Sequence, residues 1–204
     1  MQFWERTYLN YIYRQFNAIY QHPQGKVVLT FDDGPAPEVT PQILEVLSDR
    51  NIQAYFFLLG DHLHGNEDLL ALYKKNKQII GLHSKTHLPV NMNPGWHTEH
   101  KQTMEVLKRQ GITVSYARPP YGLFHKAYLN FLKSHNLHLL MWNHTTYDYK
   151  SANTKEWAFR VASQTKKGDI LLMHDAIKTA GLYPDGLNYL LDEFLKRKIE
   201  VGIL

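Results

Sequence analysis

Short apolar runs alternate along the chain with segments whose apolar residues recur at helical spacing. Seven runs have the length and composition of strands that are buried on both faces. They are Lys26–Phe31, Gln53–Leu59, Gln78–Leu82, Ser115–Arg118, His138–Trp142, Asp169–His174 and Ile199–Leu204. Between them, one helix is predicted to begin at Thr40 as its N-cap, with Pro41 at the first helical position. The other predicted helices are Asn66–Lys75, Thr98–Arg109, Lys126–Ser134, Thr154–Thr165 and Gly186–Arg197.

This alternation predicts an α/β fold in which helices cover a parallel sheet. About seven strand–helix units favour a distorted, incomplete (β/α) barrel with about seven parallel strands. An open, doubly wound sheet is the alternative. Since no glycine-rich phosphate loop follows any of the strands, a nucleotide-binding version of that sheet is disfavoured.

The N-terminal segment has a pattern of its own. Leu9, Ile12, Phe16 and Ile19 recur at helical spacing, beside a second row of aromatic residues. We therefore predict an amphipathic helical segment over residues 1–25 that packs on a domain formed by residues 26–204. Contact of this helix with a membrane surface is the alternative.

Composition narrows the classes of function. The 204 residues are 44% hydrophobic and 21% charged, an ordinary globular balance. The net charge is only +4 and Lys/Arg runs are short, which argues against a nucleic-acid partner. No stretch suits a transmembrane span or a cleavable signal peptide, so the sequence by itself favours the cytoplasm but does not fix the location. We also expect a monomer. Without cysteine, any metal must be held by histidines and carboxylates.

Residues capable of chemistry fall where the predicted strands end. The carboxyl ends of parallel strands converge on one face, so such residues meet in one cleft despite their separation in sequence. The residues at or just after strand ends are Asp32, Asp33, His83, His87, Arg118, Asp148 and His174.

Two of these runs predict a metal site. Asp32 and Asp33 in TFDDGP would repel each other at a strand end, and a bound cation would relieve that repulsion. His83 and His87 in HSKTH are spaced so that both imidazoles can reach one ion. Two histidines and a carboxylate form a common catalytic set with open positions for water and substrate. An Asp-rich turn and accidental histidines are the structural alternative, since the chain has 12 His.

Two further runs are weaker signals. In RPPYG, the prolines stiffen the backbone after Arg118 and can present the N–H of Tyr121 to the cleft. An ordinary turn with a surface arginine is the alternative. In ILLMHD, His174 ends an apolar strand, a position that a hydrogen-bonded core histidine could equally occupy.

Taken together and in this order, the motifs TFDDGP, HSKTH, RPPYG, TYDY and LMH resemble those of the polysaccharide deacetylases, carbohydrate esterase family four. The resemblance runs from Lys26 to Leu204 and implies that residues 26–204 are the catalytic domain. It also implies a distorted (β/α) barrel, usually with fewer than eight strands. The family fold thus agrees with the strand count from hydrophobic patterning.

The resemblance implies a role for each matching residue. Asp33, His83 and His87 would hold a divalent metal, with zinc expected first and cobalt, nickel or manganese as alternatives. Asp32 would be the general base. The Tyr121 N–H would stabilise the oxyanion.

The remaining implied roles concern the leaving group and the acetyl pocket. His174 would be the general acid that protonates the leaving amine. Asp148 would orient His174, and Arg118 would brace Asp32. Leu172 and Tyr149 would line the acetyl side of the pocket. The chain departs from the family pattern in having Tyr149 where Trp is usual and Thr145 where Asp is frequent.

By resemblance, the expected activity is removal of N-acetyl groups from amino sugars in a glycan substrate, of the peptidoglycan or chitin type. An O-acetyl esterase acting on a polysaccharide such as xylan could use the same residues. A catalytically silent glycan-binding relative is the third possibility, although binding alone needs neither Asp32 nor His174. The family resemblance also raises the cell envelope as a location.

Overall fold

The computed structural model describes residues 13–151 and 153–204. Its seven strands form one sheet of spatial order β5-β4-β3-β2-β1-β7-β6, and every strand pair in it is parallel. The sheet curls into a distorted, incomplete barrel, as the sequence predicts. The strands are β1 Val28–Gly34, β2 Tyr55–Leu58, β3 Ile79–Leu82, β4 Tyr116–Ala117, β5 His138–Leu139, β6 His144–Thr145 and β7 Ile170–His174.

Six α-helices occupy the predicted intervals, with ends within two residues of those expected. They are α1 Thr40–Asp49, α2 Glu67–Lys75, α3 Trp96–Arg109, α4 Lys126–Ser134, α5 Thr154–Gln164 and α6 Asp185–Lys196. The prediction that Thr40 caps α1 is wrong, because Val39 holds the cap position and Thr40 is the first helical residue. The hydroxyl of Thr40 instead bonds to the carboxylate of Asp175.

One strand prediction is also wrong, and one strand was not predicted. The segment Ile199–Leu204 is not a strand of the sheet, and only Val201 forms an isolated bridge, to Val27. The unpredicted strand β6 pairs with β7 instead. Its two residues are polar, so no apolar run marks it. Asp148 follows this sixth strand, and His174 ends the seventh.

Alternation along each strand divides the core in two. Leu29 and Leu171 point outward into the cluster packed under the helices, whereas Val28 and Ile170 point into the barrel. Because side chains alternate with a period of two, Asp32 at the end of β1 and His174 at the end of β7 are placed on the inner face. The functional ends of β1 and β7 are adjacent, with Asp32 opposite His174 in the register.

The barrel is incomplete between the edge strands β5 and β6. At this side, Ile19 forms a parallel bridge with Leu140, and Gln21 bridges Asp169. Of the segment predicted as a helix over residues 1–25, residues 1–12 lie outside the described residues. No helix within the described ranges is long and apolar enough to cross a membrane.

Candidate active site

Asp33, His83 and His87 come together at the carboxyl end of the barrel. Their ligand atoms all lie within 4.8 Å of one another. Asp33 Oδ1 is 3.5 Å from His83 Nε2 and 3.1 Å from His87 Nε2. The three residues come from the ends of β1 and β3 and from the loop after β3.

A bulge explains how two adjacent aspartates face one cleft. In a regular strand, Asp32 and Asp33 would point to opposite faces of the sheet. The register of β1 against β2 shifts between Asp32 and Gly34, and Asp33 has φ 75°, in the left-handed region. Such a bulge redirects a side chain, and here it directs Asp33 toward the histidines. His87, with φ 59°, is also left-handed.

The donor set fits a divalent ion. Asp33 Oδ1 is buried and has no hydrogen-bond partner in the structure, although it faces two imidazoles. His83 Nδ1 donates to the carbonyl of Arg118 at 2.8 Å, which leaves Nε2 with a lone pair for an ion. Burial acts to raise the pKa of Asp33, but the two histidines outweigh burial and hold that pKa well below its usual range.

Asp32 lies beside this cluster but has a different partner. Its Oδ1 accepts a hydrogen bond of 2.8 Å from Arg118 Nη1, while its Oδ2 lies 3.8 Å from His83 Nε2. Arg118 is fully buried, and its guanidinium lies 4.2 Å from the centroid of the Phe57 ring. The same guanidinium donates to the carbonyls of Leu140 and Met141. Arg118 thereby fixes the orientation of the Asp32 carboxylate.

His174 and Asp148 form a second buried pair in the same cleft. His174 Nδ1 lies 2.8 Å from Asp148 Oδ1, and the backbone N–H of His174 donates to Oδ2 at 2.6 Å. Tyr183 donates its hydroxyl to the same Oδ2 at 3.2 Å. Burial acts to lower the pKa of His174, but the hydrogen bond and charge of Asp148 outweigh burial and raise that pKa.

The three predicted pocket residues surround these groups. Leu172 lies on the inner strand β7, two residues before His174, and is only 8% exposed. The Tyr149 ring stands edge-on to the His174 ring, with centroids 5.4 Å apart. The Tyr121 ring is 62% exposed and 4.7 Å from the His87 ring, and its backbone has φ 59°. A cleft of about 290 Å³ opens beside Asp33 and His87.

Sequence reasoning missed several residues around the site. Lys178 Nζ lies 2.6 Å from Asp33 Oδ2, and His62 Nδ1 donates to the Asp33 carbonyl at 2.8 Å. Neither residue belongs to a motif. Asp175 does carry a signal in the sequence, because it directly follows His174 at a strand end. It is wholly buried, and burial raises its pKa to about 7.

Comparison with known proteins agrees with this architecture. The polysaccharide deacetylase family profile matches residues 20–140, and the chain belongs to that family. A peptidoglycan-N-acetylglucosamine deacetylase of Bacillus cereus is 30% identical over 155 residues, which are 74% of this chain and 56% of that protein. The chain spans about half the length of the curated relatives it matches, such as 56% of this one and 40% of a Listeria monocytogenes relative.

Two solved structures are informative. The Bc1960 peptidoglycan N-acetylglucosamine deacetylase, in complex with a hydroxamate, superposes with a TM-score of 0.85 at 26% identity, covering 93% of this chain and 91% of that one. A mutant of BA3943, a family pseudoenzyme with restored activity, has a TM-score of 0.79 at 26% identity, with 90% and 68% covered. The family therefore contains a protein described as a pseudoenzyme. Membership of the family alone does not establish catalysis, which depends on the individual site residues.

Proposed function

We propose that this chain is a metal-dependent hydrolase that removes N-acetyl groups from amino sugars in a glycan. The observation that carries this proposal is that a carboxylate–histidine–histidine cluster lies in one cleft with a second carboxylate and a carboxylate-paired histidine. Those groups are the ligands, base and acid that amide hydrolysis requires. Its membership of the polysaccharide deacetylase family supports the substrate class.

Asp33, His83 and His87 would hold the ion. Nitrogen and oxygen ligands in this number suit zinc first, with cobalt, nickel or manganese as alternatives. When bound, such an ion lowers the pKa of water and polarises the acetyl carbonyl. Lys178 donates to Asp33 Oδ2, and Oδ1, which has no hydrogen-bond partner, is the oxygen that would bind the ion.

Asp32 would act as the general base. Arg118 aligns it through Oδ1, so Oδ2 is the oxygen available to accept a proton from the attacking water. Oδ2 also faces the histidine cluster, 3.8 Å from His83 Nε2. The water oxygen then bonds to the acetyl carbon as its proton passes to Asp32.

His174 would supply a proton to the other side of the reacting group. Its Nδ1 is bonded to Asp148, which leaves Nε2 to donate to the leaving nitrogen. Asp148 raises the pKa of His174 and so keeps the imidazolium form available. The carbon–nitrogen bond then breaks, and acetate and the free amino sugar are released.

The pocket residues would orient the acetyl group. We assign the oxyanion donor to the backbone N–H of Tyr121, whose left-handed backbone beside His87 is a strained conformation typical of functional sites. Leu172 would contact the acetyl methyl group from the inner face of β7. Tyr149 would form the opposite wall, next to His174.

The remaining proposals concern the working unit, the substrate class, the location and whether the protein is catalytically active. We propose a monomer as the working unit. Because named relatives are peptidoglycan and chitooligosaccharide deacetylases, we propose these two glycan classes as substrates and the cell envelope as the working location. Asp32 and His174, with their partners Arg118 and Asp148, argue against a catalytically silent protein.

A substrate panel tests this function. The zinc-loaded protein should release acetate from N-acetylglucosamine oligosaccharides or from peptidoglycan, and release it faster than from acetylated xylan. Replacement of His174 by Ala should impair N-deacetylation much more than hydrolysis of an activated aryl acetate, because an amine needs protonation to leave. Acetate release from xylan alone would establish the O-acetyl esterase instead. No release from any substrate, with zinc bound, would establish a silent binding protein.

A further inference from the structure

Three wholly buried polar side chains lie directly behind the Asp32–Asp33 segment. Thr40 opens α1, Tyr73 lies on α2 and Asp175 follows β7. The Thr40 hydroxyl lies 2.8 and 2.9 Å from the two carboxylate oxygens of Asp175. The Tyr73 hydroxyl makes a short hydrogen bond to Asp175 Oδ2. We call these three residues the buried cluster.

The buried cluster contacts the catalytic segment on both sides of Asp33. Before it, the backbone N–H of Asp175 donates to the carbonyl of Asp32 at 2.7 Å. After it, the backbone N–H of Ala36 donates to the Thr40 hydroxyl at 2.8 Å. Asp175 after β7 and Thr40 at the start of α1 thus hold the two ends of the short segment that carries the proposed base and the proposed ligand.

Gly34 fits against the buried cluster only because it has no side chain. A Cβ at this position would lie 2.5 Å from Asp175 Oδ2 and 2.9 Å from the Tyr73 hydroxyl. Both distances are shorter than real Cβ contacts, and neither neighbour is a flexible chain end, since both are bonded within the cluster. The backbone after Asp33 therefore rests directly on these two polar groups.

The conformation of Asp33 needs such support. A non-glycine residue at φ 75° is strained, and strained conformations persist only where the surrounding structure holds them in place. The metal ligand geometry depends on that conformation, because a regular strand would turn Asp33 away from His83 and His87.

We propose that Thr40, Tyr73 and Asp175 are positioning residues that hold the Asp33 carboxylate in its ligating orientation, and so set the affinity for the metal ion. The proposal rests on the proposed function, because it takes Asp33 as a ligand. Asp175 and Thr40 act through hydrogen bonds with the backbone around Asp33, and Tyr73 acts through its hydrogen bond to Asp175. None of the three is a proposed ligand of the ion or contact of the substrate. Outer groups of this kind typically change metal affinity about ten- to a hundred-fold.

The chain offers a matched control for Tyr73. Tyr183 is also buried and also donates its hydroxyl to a buried carboxylate, that of Asp148, at 3.2 Å. Asp148 belongs to the acid side of the cleft. Tyr73→Phe and Tyr183→Phe therefore remove the same kind of hydrogen bond at similar depth, one on the metal side and one on the acid side.

The test measures zinc affinity by chelator competition, the visible spectrum of the Co²⁺-loaded protein, and Tm, for the wild type and both variants. Tyr73→Phe should weaken zinc binding about tenfold or more and alter the Co²⁺ spectrum. Tyr183→Phe should leave zinc affinity and the spectrum unchanged despite a comparable loss of Tm. Thr40→Val should behave like Tyr73→Phe, whereas Thr40→Ser, which keeps the hydroxyl, should restore both readouts.

The outcomes separate this inference from the function on which it rests. Equal zinc affinities and Co²⁺ spectra for Tyr73→Phe, Thr40→Val and the wild type would overturn the positioning role and leave the metal site standing. A wild-type protein that binds neither zinc nor cobalt would instead overturn the proposed function. Should Tyr73→Phe fail to fold, the Thr40→Val and Thr40→Ser pair decides the question by the same readouts.

Discussion

Asp32 and Asp33 are neighbours in sequence, yet the structure gives them different partners. Asp32 accepts from Arg118, whereas Asp33 Oδ1 faces two histidines and has no hydrogen-bond partner. A bulge and a single left-handed residue produce this division. The two carboxylates can therefore be tested by the same substitution at adjacent positions.

Asp33→Asn should abolish stoichiometric zinc binding, because the amide removes the only anionic ligand. Asparagine tolerates left-handed backbone, so the bulge itself should survive. Asp32→Asn should retain zinc but lose turnover by about a hundred- to ten-thousand-fold, the usual contribution of a general base. Metal analysis and kinetics on the same samples of each variant distinguish the ligand role from the base role. Loss of zinc in Asp32→Asn would mean that the ligand role is shared or reversed.

The pairing of His174 with Asp148 predicts a pH effect. His174 must be protonated to act as an acid, so turnover falls as pH rises through its pKa. Asp148 raises that pKa; Asp148→Asn should therefore move the alkaline limb of the pH–rate profile to lower pH. The zinc content should not change. An alkaline limb that stays in place would show that Asp148 does not tune His174.

At the scale of elements, the inner face of the barrel is built from alternate residues of neighbouring strands. Gly81 on β3 lies beside Phe57 on β2, and the Phe57 ring lies under the Arg118 guanidinium. A Cβ on Gly81 would lie 2.6 Å from two ring carbons of Phe57. The small residue thus makes room for the ring that supports Arg118, and through Arg118 it supports Asp32.

Gly81→Ala should destabilise the protein by about 1–3 kcal/mol, the usual cost of overpacking a core. It should also lower turnover, because a displaced Phe57 ring shifts Arg118 away from Asp32. Gly181→Ala is the control: a Cβ there meets nothing within 4 Å, so stability should change by less than about 0.5 kcal/mol. Denaturant unfolding and steady-state kinetics measure both effects. Wild-type stability in Gly81→Ala would refute this packing account.

Element-level patterns were also the part of the structure that could be predicted from the sequence. Apolar runs and helical spacing located six strands and six helices, because burial imposes those periods. The polar strand β6 carries no such pattern, and Ile199–Leu204 is apolar yet contributes only one bridge. The residues at the ends of the predicted strands were correctly expected to meet in one cleft. Lys178, His62 and the buried cluster were not predicted, because tertiary contacts alone bring them to the site.

At the scale of the whole molecule, the cleft belongs to a barrel that is open between β5 and β6. Arg118 crosses the interior of this barrel, since its guanidinium bonds to Asp32 at the end of β1 and to the carbonyls of Leu140 and Met141 after β5. The residue that aligns the proposed base therefore also joins two parts of the barrel that are not neighbours in the sheet.

The central claim is that a metal ion held by Asp33, His83 and His87 is required for deacetylation. The most direct test is acetate release from N-acetylglucosamine oligosaccharides by protein stripped with a chelator and then reloaded with one equivalent of zinc. We expect no release from the stripped protein and restored release on reloading, with His87→Ala inactive in both states. Equal acetate release before and after stripping, from protein shown to be free of metal, would contradict it.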